Sequence, residues 1–586
     1  MFPPFFRLLY AIGPRSLFPV KAPPKPPDDD AALLSSASYR PSPAVRHPSL
    51  LILWASLWMA TVCNAALWQA LWRLPELHGN RGLWSSAALP ILIAATLYLL
   101  LSLVACRWTV KPLITAFLFA SAFGAYFMLT YGVVIDRSMI VNALQTDQRE
   151  VLDLLNGRML LTVVLLAAVP AGWLWRQTLA YPSPLRQLAV NALATLASCV
   201  LIMVTLLAAF QDFSSLMRNH TQLRYLINPL NSFYALGSAA VRPFRQPASA
   251  LLPLGEDAQL GRTYTAQPKP PLLLLVLGET ARSGNFALNG YARPTTPELA
   301  RENVVSQRLA WSCGTSTAAS VPCMFSNQGR AGFGKDGARY EGLLDVLQRA
   351  GLAVLWIDNQ SGCKGVCDRV NQVGTIDLKV PGVCGADECF DEVMLQQIDA
   401  QIEALPAARR ARGVVVVMHQ MGGHGPAYYK RSPAASKKFF PECTSNALPD
   451  CGRQELMNAY DNSVVYTDQF LAASIAWLKK REAQAATALL YVGDHGESLG
   501  ENNLYLHGLP YSVAPDVQKQ VPWISWLSAS FENRASLSTA CLRQHVNDPI
   551  SHDNYFHSVL GLLDIQSTVY RPAMDIYAEC SHHAVL

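Results

Sequence analysis

Between Ser49 and Phe210 the sequence holds five apolar runs of about 20 residues, each long enough to cross a bilayer as a helix. They fall at Ser49 to Ala70, Trp84 to Cys106, Leu113 to Val134, Leu160 to Trp175 and Leu188 to Phe210. The fourth is the shortest and contains Pro170, so its limits are the least defined. Across the 586 residues, 51% apolar and only 15% charged content suits a membrane portion joined to a soluble one. The expected organisation is a tail over 1–46, a five-helix transmembrane domain over 47–210, a membrane-surface bridge over 211–268 and a soluble domain over 269–586.

The tail is rich in Pro, Ala and Ser and includes Lys21-Ala-Pro-Pro-Lys-Pro-Pro-Asp28, a composition that cannot bury a core and is expected to be disordered. Pro3, Pro4 and Pro14 break its apolar residues, which argues against a cleaved signal peptide. An odd number of spans would put tail and soluble domain on opposite sides of the membrane. Arg7, Arg15, Lys21, Lys25, Arg40 and Arg46 favour a cytoplasmic tail under the positive-inside rule. The loops decide little: Arg107, Lys111, Arg176 and Arg186 would lie inside, but Arg73, Arg81, Arg137, Arg149 and Arg158 outside.

Cysteine usage carries more of the orientation. Cys63, Cys106 and Cys199 lie in apolar stretches, whereas the other ten follow residue 312, several as close pairs: Cys313/Cys323, Cys363/Cys367, Cys384/Cys389 and Cys443/Cys451. Such pairs suit disulfides or a zinc-thiolate site, and their scatter over separate loops without a repeated CxxC spacing favours disulfides. Cys541/Cys580 is a less secure fifth pair. Disulfides place the C-terminal half in an oxidising compartment. A net charge of +5, with no basic run interleaved with aromatics, argues against a nucleic-acid partner.

Within the soluble half, Pro271-Leu-Leu-Leu-Leu-Val-Leu-Gly-Glu-Thr-Ala-Arg282 reads as a buried parallel strand with Glu279 at its C-terminal end, the edge where open α/β sheets bind ligands. Leu352 to Ile357 runs likewise into Asp358, Val414 to Met418 into His419, and Leu489 to Val492 into Gly493-Asp-His-Gly-Glu497. Four strands thus deliver carboxylates and imidazoles to one edge. Ser312-Cys-Gly-Thr-Ser-Thr-Ala318 could cap a helix with Thr317 near its N-terminus, where free backbone N–H groups and the dipole favour phosphate. Glu279, Asp494 and His495 form a ligand set suited to zinc, and zinc beside Thr317 would lower the hydroxyl's pKa for attack on phosphorus. His419, His424 and His507 supply further imidazoles for a second metal, a general acid or a phosphate contact. A lone Asp-His or Gly-Glu-Thr is ordinarily a loop detail; their coincidence at strand ends points to metal-assisted phosphoryl or sulfuryl transfer.

In the connection after the third run, Asn142, Thr146 and Glu150 stand at i, i+4, i+8 spacing. They would form one polar stripe on a helix at the membrane surface, which by spacing alone is an ordinary solvated face.

Gly278-Glu-Thr-Ala-Arg282, Ser312-Cys-Gly-Thr-Ser-Thr-Ala318 with Val321-Pro-Cys-Met-Phe325, His419-Gln-Met-Gly-Gly-His-Gly-Pro426, and Gly493-Asp-His-Gly-Glu-Ser-Leu-Gly-Glu501 with Tyr505-Leu-His-Gly508 together resemble the lipid A phosphoethanolamine transferases. These include the mobile colistin-resistance enzymes and belong to the alkaline phosphatase-like sulfatase superfamily. The resemblance covers everything after the tail. It implies a five-helix inner-membrane anchor carrying a periplasmic α/β domain, with a mostly parallel sheet sandwiched by helices. It also implies a zinc site of Glu279, Thr317, Asp494 and His495 with Thr317 as nucleophile. Lys364, His424, Glu497 and His507, with Ser361 beside them, match residues that bind the phosphoethanolamine group or a second zinc. Asn142, Thr146 and Glu150 match a stripe implicated in admitting the lipid donor, which replaces the solvated-face reading. Gln360 stands where some members have Asn, and the Pro-rich tail has no counterpart in the family pattern.

The expected reaction moves phosphoethanolamine from phosphatidylethanolamine through Thr317 to a phosphate of lipid A in the lipopolysaccharide, by a protein acting as a monomer and conferring polymyxin resistance. Rival acceptors are core heptose, Kdo and periplasmic glucan, and glycerophosphate transfer is a further variant of the chemistry. A rival of another class is a non-catalytic sensor of lipid headgroups, against which the complete Glu279, Thr317, Asp494 and His495 set argues.

Overall fold

The structure, a computed structural model, describes residues 46–586 except 75–79, 147, 221, 246–250, 334–338, 386–387 and 582–586, with only the backbone described at a few further helical positions. The expected tail, apart from Arg46, therefore lies outside the described residues. Among the described residues four helices are long and apolar enough to cross a membrane: Pro48–Trp72, Val110–Tyr131, Gly157–Arg176 and Pro184–Ala209. The expected run from Trp84 to Cys106 lies in a helix, Asn80–Leu103, whose described apolar stretch is the shorter Ala87–Leu103.

Pro170 does not end its helix. It lacks the N–H that the carbonyl of Leu166 would accept, and the chain widens into a π-helical turn over Val164–Ala168 just before it. The Trp58 indole N–H donates to that Leu166 carbonyl at 3.2 Å, as an apolar surrounding demands. A second polar lock joins the bridge to the spans: the Asn228 side chain donates to the carbonyls of Cys63 and Ser121 at 2.9 and 2.7 Å. Gly124 makes room for it, since a Cβ there would lie 2.5 Å from Asn228 Oδ1.

One end of the helices is marked by cations over indoles: Arg46 over Trp173, Arg107 over Trp108 and Lys111 over Trp175, at 5.4, 4.5 and 5.6 Å from the ring centres. The other end meets the soluble half. Tyr126, Tyr131, Val133 and Met159 are buried in the same apolar cluster as that domain's sheet.

That sheet has eight strands: β1 Pro271–Gly278, β2 Val305–Trp311, β3 Ala353–Asp358, β4 Asn371–Gly374, β5 Val414–His419, β6 Ala486–Gly493, β7 Gln520–Leu527 and β8 Ile550–Ser551. Their spatial order is β8-β2-β7-β6-β1-β5-β3-β4. Five neighbours from β6 to β4 run parallel, and β7 alone opposes both its neighbours. The mostly parallel sheet is therefore as expected. Every residue of β1 is buried, which is why its sequence is continuous rather than alternating. Leu273, Leu275 and Leu277 point to one apolar layer with helices Leu343–Ala350 and Tyr555–Leu562; Leu272, Leu274 and Val276 point to the other, with the long helix Arg453–Lys479.

The ten cysteines after residue 312 pair as Cys313–Cys323, Cys363–Cys367, Cys384–Cys389, Cys443–Cys451 and Cys541–Cys580, leaving Cys63, Cys106 and Cys199 as thiols.

Candidate active site

Four parallel strands end at one edge, and each contributes a titratable group there: Glu279 after β1, Asp358 closing β3, His419 closing β5 and Asp494-His495 after β6. Parallel register makes this automatic, because Gly278 pairs with Gly493 and Leu277 with His419. Gly422 lets the loop after β5 close over the edge. It sits at φ +51°, and a Cβ there would lie 2.6 Å from the Glu279 carbonyl. Asp391 fixes the same loop by accepting the N–H groups of Met421 and Gly422 at 2.8 and 3.1 Å.

Thr317 opens helix Thr317–Met324 behind an extended Ser316, whose carbonyl accepts the Ala319 and Ser320 N–H groups, so the Thr317 and Ala318 N–H groups stand at the open N-terminus of the helix. Its hydroxyl donates toward both Glu279 oxygens at 3.1 and 3.0 Å and lies 3.4 Å from His495 Nε2. His495 Nε2 is 3.3 Å from Glu279 and 3.4 Å from Asp494. His495 Nδ1 sits 2.9 Å from the Gly496 carbonyl, which requires the proton on Nδ1 and turns the Nε2 lone pair inward.

These groups fit a divalent cation. Ligand atoms of Glu279, Asp494 and His495 all lie within 4.8 Å of one another, and all three residues are buried. Asp494 Oδ2 is buried with no hydrogen-bond partner among the described residues, and the charged partners that the two carboxylates share there are imidazoles. Among themselves the side chains titrate abnormally. Burial and the neighbouring Glu279 push Asp494 up to about 6. Burial opposes charge on His495, but Asp494 and Glu279 more than reverse it and carry the imidazole up to about 10. A bound cation would take the place of that Nε2 proton and keep both carboxylates ionised.

Beside this cluster the His507 ring centre lies 4.3 Å from that of His495 and 5.6 Å from that of His424. His507 Nδ1 is 3.4 Å from Glu497, whose carboxyl is pushed up to about 8, chiefly by burial. Lys364 lies in the loop closed by Cys363–Cys367, and Ser361 lies two residues before it. Lys364 Nζ donates to the Ser361 hydroxyl at 2.8 Å and reaches the Gln145 carbonyl on the membrane side at 3.4 Å. Gln360 accepts from the backbone and hydroxyl of Ser361.

The polar stripe needs correction. Helix Arg137–Gln145 ends before Thr146, which is extended at ψ 134°, and a second helix, Gln148–Leu154, begins two residues later. Thr146 turns its hydroxyl back to the Asn142 carbonyl at 2.8 Å. Asn142, Thr146 and Glu150 are thus split between two helices, and the Glu150 side chain lies outside the described residues. The first of these helices packs against the helix that carries Thr317.

Two groups have more part in the site than sequence reasoning gave them. His419 bridges Asp358 at 3.2 Å and Glu279 at 3.7 Å; burial opposes its charge, and those carboxylates raise it to about 10. Its place at a strand end was the available signal. His552 had none. Fully buried and held neutral by burial, with a pKa near 4, it accepts the Cys313 N–H through Nδ1 at 3.1 Å and donates through Nε2 to the Gly493 carbonyl at 2.9 Å. It therefore ties the turn before Thr317 to the strand before Asp494.

The sequence and fold match proteins whose names bear on this site. Residues 93–244 match the family model described as phosphoethanolamine transferase EptA/EptB, and residues 271–565 match the sulfatase model. The chain is 39% identical to phosphoethanolamine transferase EptA of Salmonella typhimurium over 538 residues, covering 90% of this chain and 96% of that one. It is 34% identical to phosphatidylethanolamine transferase Mcr-1 of Escherichia coli over 88% of this chain and 95% of that one. The integral-membrane lipooligosaccharide phosphoethanolamine transferase A of Neisseria meningitidis superposes with a TM-score of 0.87 at 34% identity, covering 91% of this chain and 99% of that one. With membrane helices, a sulfatase-like sheet and these relatives along nearly its whole length, the chain belongs to the EptA and Mcr family and is a phosphoethanolamine transferase.

Proposed function

We propose that the protein is a zinc-dependent, five-span inner-membrane enzyme with its catalytic domain in the periplasm. In this reading it moves phosphoethanolamine from phosphatidylethanolamine to a lipid A phosphate, acting as a monomer. The observation that carries the reading is the Thr317 hydroxyl, at a helix N-terminus and within 3.1 Å of Glu279 in a buried carboxylate and imidazole cluster. Glu279, Asp494, His495 and Thr317 would hold zinc, which when bound supplies positive charge against the phosphate oxygens and an acidified threonine hydroxyl.

Thr317 Oγ attacks the phosphorus of the donor while its proton passes toward the Glu279 carboxylate. The bond from phosphorus to the glycerol oxygen breaks, and diacylglycerol leaves with a proton from His424 or His507. The Thr317 and Ala318 N–H groups at the start of helix Thr317–Met324 face the phosphate as charge builds on it. Glu497, His424, His507 and the Lys364–Ser361 pair orient the headgroup. In the second half-reaction a lipid A phosphate gives its proton to the imidazole that protonated diacylglycerol, its oxygen attacks the phosphorus of the phosphoethanolamine ester on Thr317, and the bond from phosphorus to Thr317 Oγ breaks as that oxygen takes its proton back from Glu279. The product shows an amine where there was anionic phosphate, so polymyxin and other cationic peptides lose counter-charge.

The test has two parts. Intact mass of the protein incubated with phosphatidylethanolamine alone should rise by one phosphoethanolamine, mapped to Thr317. Lipid A from cells with the protein should carry phosphoethanolamine that cells without it lack. A phosphoprotein with unmodified lipid A would redirect the acceptor to core heptose, Kdo or glucan.

A further inference from the structure

Besides the reach of Lys364 Nζ to the Gln145 carbonyl at 3.4 Å, four polar contacts among the described residues, all through Asp153 or Arg158, tie the membrane-side segment after the third span to the soluble half. Arg158 pairs with Asp450 at 2.5 Å with both side chains well exposed, Lys430 pairs with Asp153 at 2.5 Å, and Asn446 donates to the Asp153 carbonyl at 2.8 Å. The fourth is different. The Asp153 carboxylate, on helix Gln148–Leu154, accepts Arg431 Nη2 at 3.1 Å, and Arg431 is only 2% exposed. The other two edges of the same guanidinium are also used: Nη1 pairs with Glu388 at 2.5 Å, and Nε donates to the His424 carbonyl at 2.8 Å.

A guanidinium is a flat, rigid fork, so a group bound to one edge fixes the direction of the others. Arg431 therefore sets the position of the His424 backbone with respect to a carboxylate that belongs to the membrane side. Burial matters as well. A pair this enclosed is little screened by salt, and removing one partner leaves the other charge stranded. Asp153 also lies three residues beyond Glu150 in the same short helix, so the helix carrying one end of the polar stripe is the helix that grips the His424 loop.

We propose that Asp153 is a positioning residue for transfer: acting through Arg431, it sets His424 against the phosphoethanolamine group only when the membrane-side helix is docked on the catalytic domain. This rests on the proposed role of His424 in headgroup binding.

The test uses full-length protein in phosphatidylethanolamine vesicles, with diacylglycerol release as turnover, O-phosphorylethanolamine binding by calorimetry, and zinc content. Arg431→Lys keeps a cation between Asp153 and Glu388 but lacks the fixed Nε–H edge that donates to the His424 carbonyl. It is expected to lower kcat about tenfold or more and to weaken O-phosphorylethanolamine binding, with zinc content at the wild-type level. Asp153→Asn should move both quantities in the same direction. Arg158→Gln, which breaks only the exposed contact, serves as the docking control and should change neither. The proposal is overturned if Arg431→Lys matches wild type in kcat and binding, or if Asp153→Asn loses turnover while Arg431→Lys does not, since that pattern is docking without His424. Should wild type itself neither release diacylglycerol nor bind O-phosphorylethanolamine, the reading of the whole site falls and this inference with it.

Discussion

The sheet edge and the segment from Arg137 to Leu154, to which we assign the chemistry and the presentation of the lipid, are built by different physics. At the edge, Glu279, Asp494 and His495 are delivered by the parallel register of β1 and β6, whose every residue is buried; moving any of these groups means breaking a ladder. The membrane-side segment is two short helices broken at Thr146, and its described side chains are exposed or half-buried, with Asp153 the exception among them. Chemistry is thus fixed by a core, whereas presentation of a lipid depends on contacts a few side chains wide. A catalytic centre can be rigid because phosphorus comes to it, but the element that brings the lipid must stay close to the bilayer. Lifting the acyl chains out instead would cost ~0.8 kcal/mol per exposed CH₂.

The sharpest way to test this division is at Thr317. Thr317→Ala should lower turnover by about a thousandfold or more on every substrate, with the protein still folded in the membrane, because only the attacking oxygen is removed. Full lipid A modification by that variant would end the covalent mechanism. Next in size is the metal. Chelation should stop turnover, and Glu279→Ala or Asp494→Ala should lower zinc content in purified protein and activity by about a hundredfold. Unchanged metal in both variants would show that the edge is not the ligand set.

The presenting segment should behave otherwise. Asn142→Ala combined with Glu150→Ala is expected to cost about tenfold on phosphatidylethanolamine in vesicles yet spare hydrolysis of a short, water-soluble phosphoethanolamine ester. Equal losses on both substrates would erase the contrast between edge and segment; no loss on either would return the stripe to a solvated surface. The smallest effect should come from Cys443→Ser with Cys451→Ser. That loop holds Asn446 and Asp450, and opening it should lower stability by about 2 to 3 kcal/mol in the chain-entropy model. Thermal unfolding with and without reductant checks it, and peptide mapping of non-reduced protein should recover the pair linked.

What was legible in the sequence follows the same division. Continuous apolar strands and the groups standing after them report a parallel sheet and its active edge, because period and burial are local properties that one strand reveals by itself. Short loops with paired cysteines likewise signal their own closure. The break at Thr146 was hidden, since i, i+4, i+8 spacing states which residues would align on a helix but not whether the helix continues. His552 was hidden for a different reason: it joins residues far away in the sequence, through the Cys313 N–H, the Gly493 carbonyl and the Ser320 hydroxyl, and backbone partners leave no mark on residue type. The same holds for Arg431, which reads as one more arginine until its three partners from separate stretches are seen together.

The Cys443–Cys451 loop also divides the docking contacts by their dependence on oxidation. Asn446 and Asp450, which meet Asp153 and Arg158, lie inside the ring that this disulfide closes. Lys430 and Arg431, which hold Asp153 as well, lie outside it. A thiol form of the protein would therefore shape the first two contacts less firmly while keeping the grip on the His424 loop, so that oxidation adjusts how long the halves stay mated rather than whether they mate.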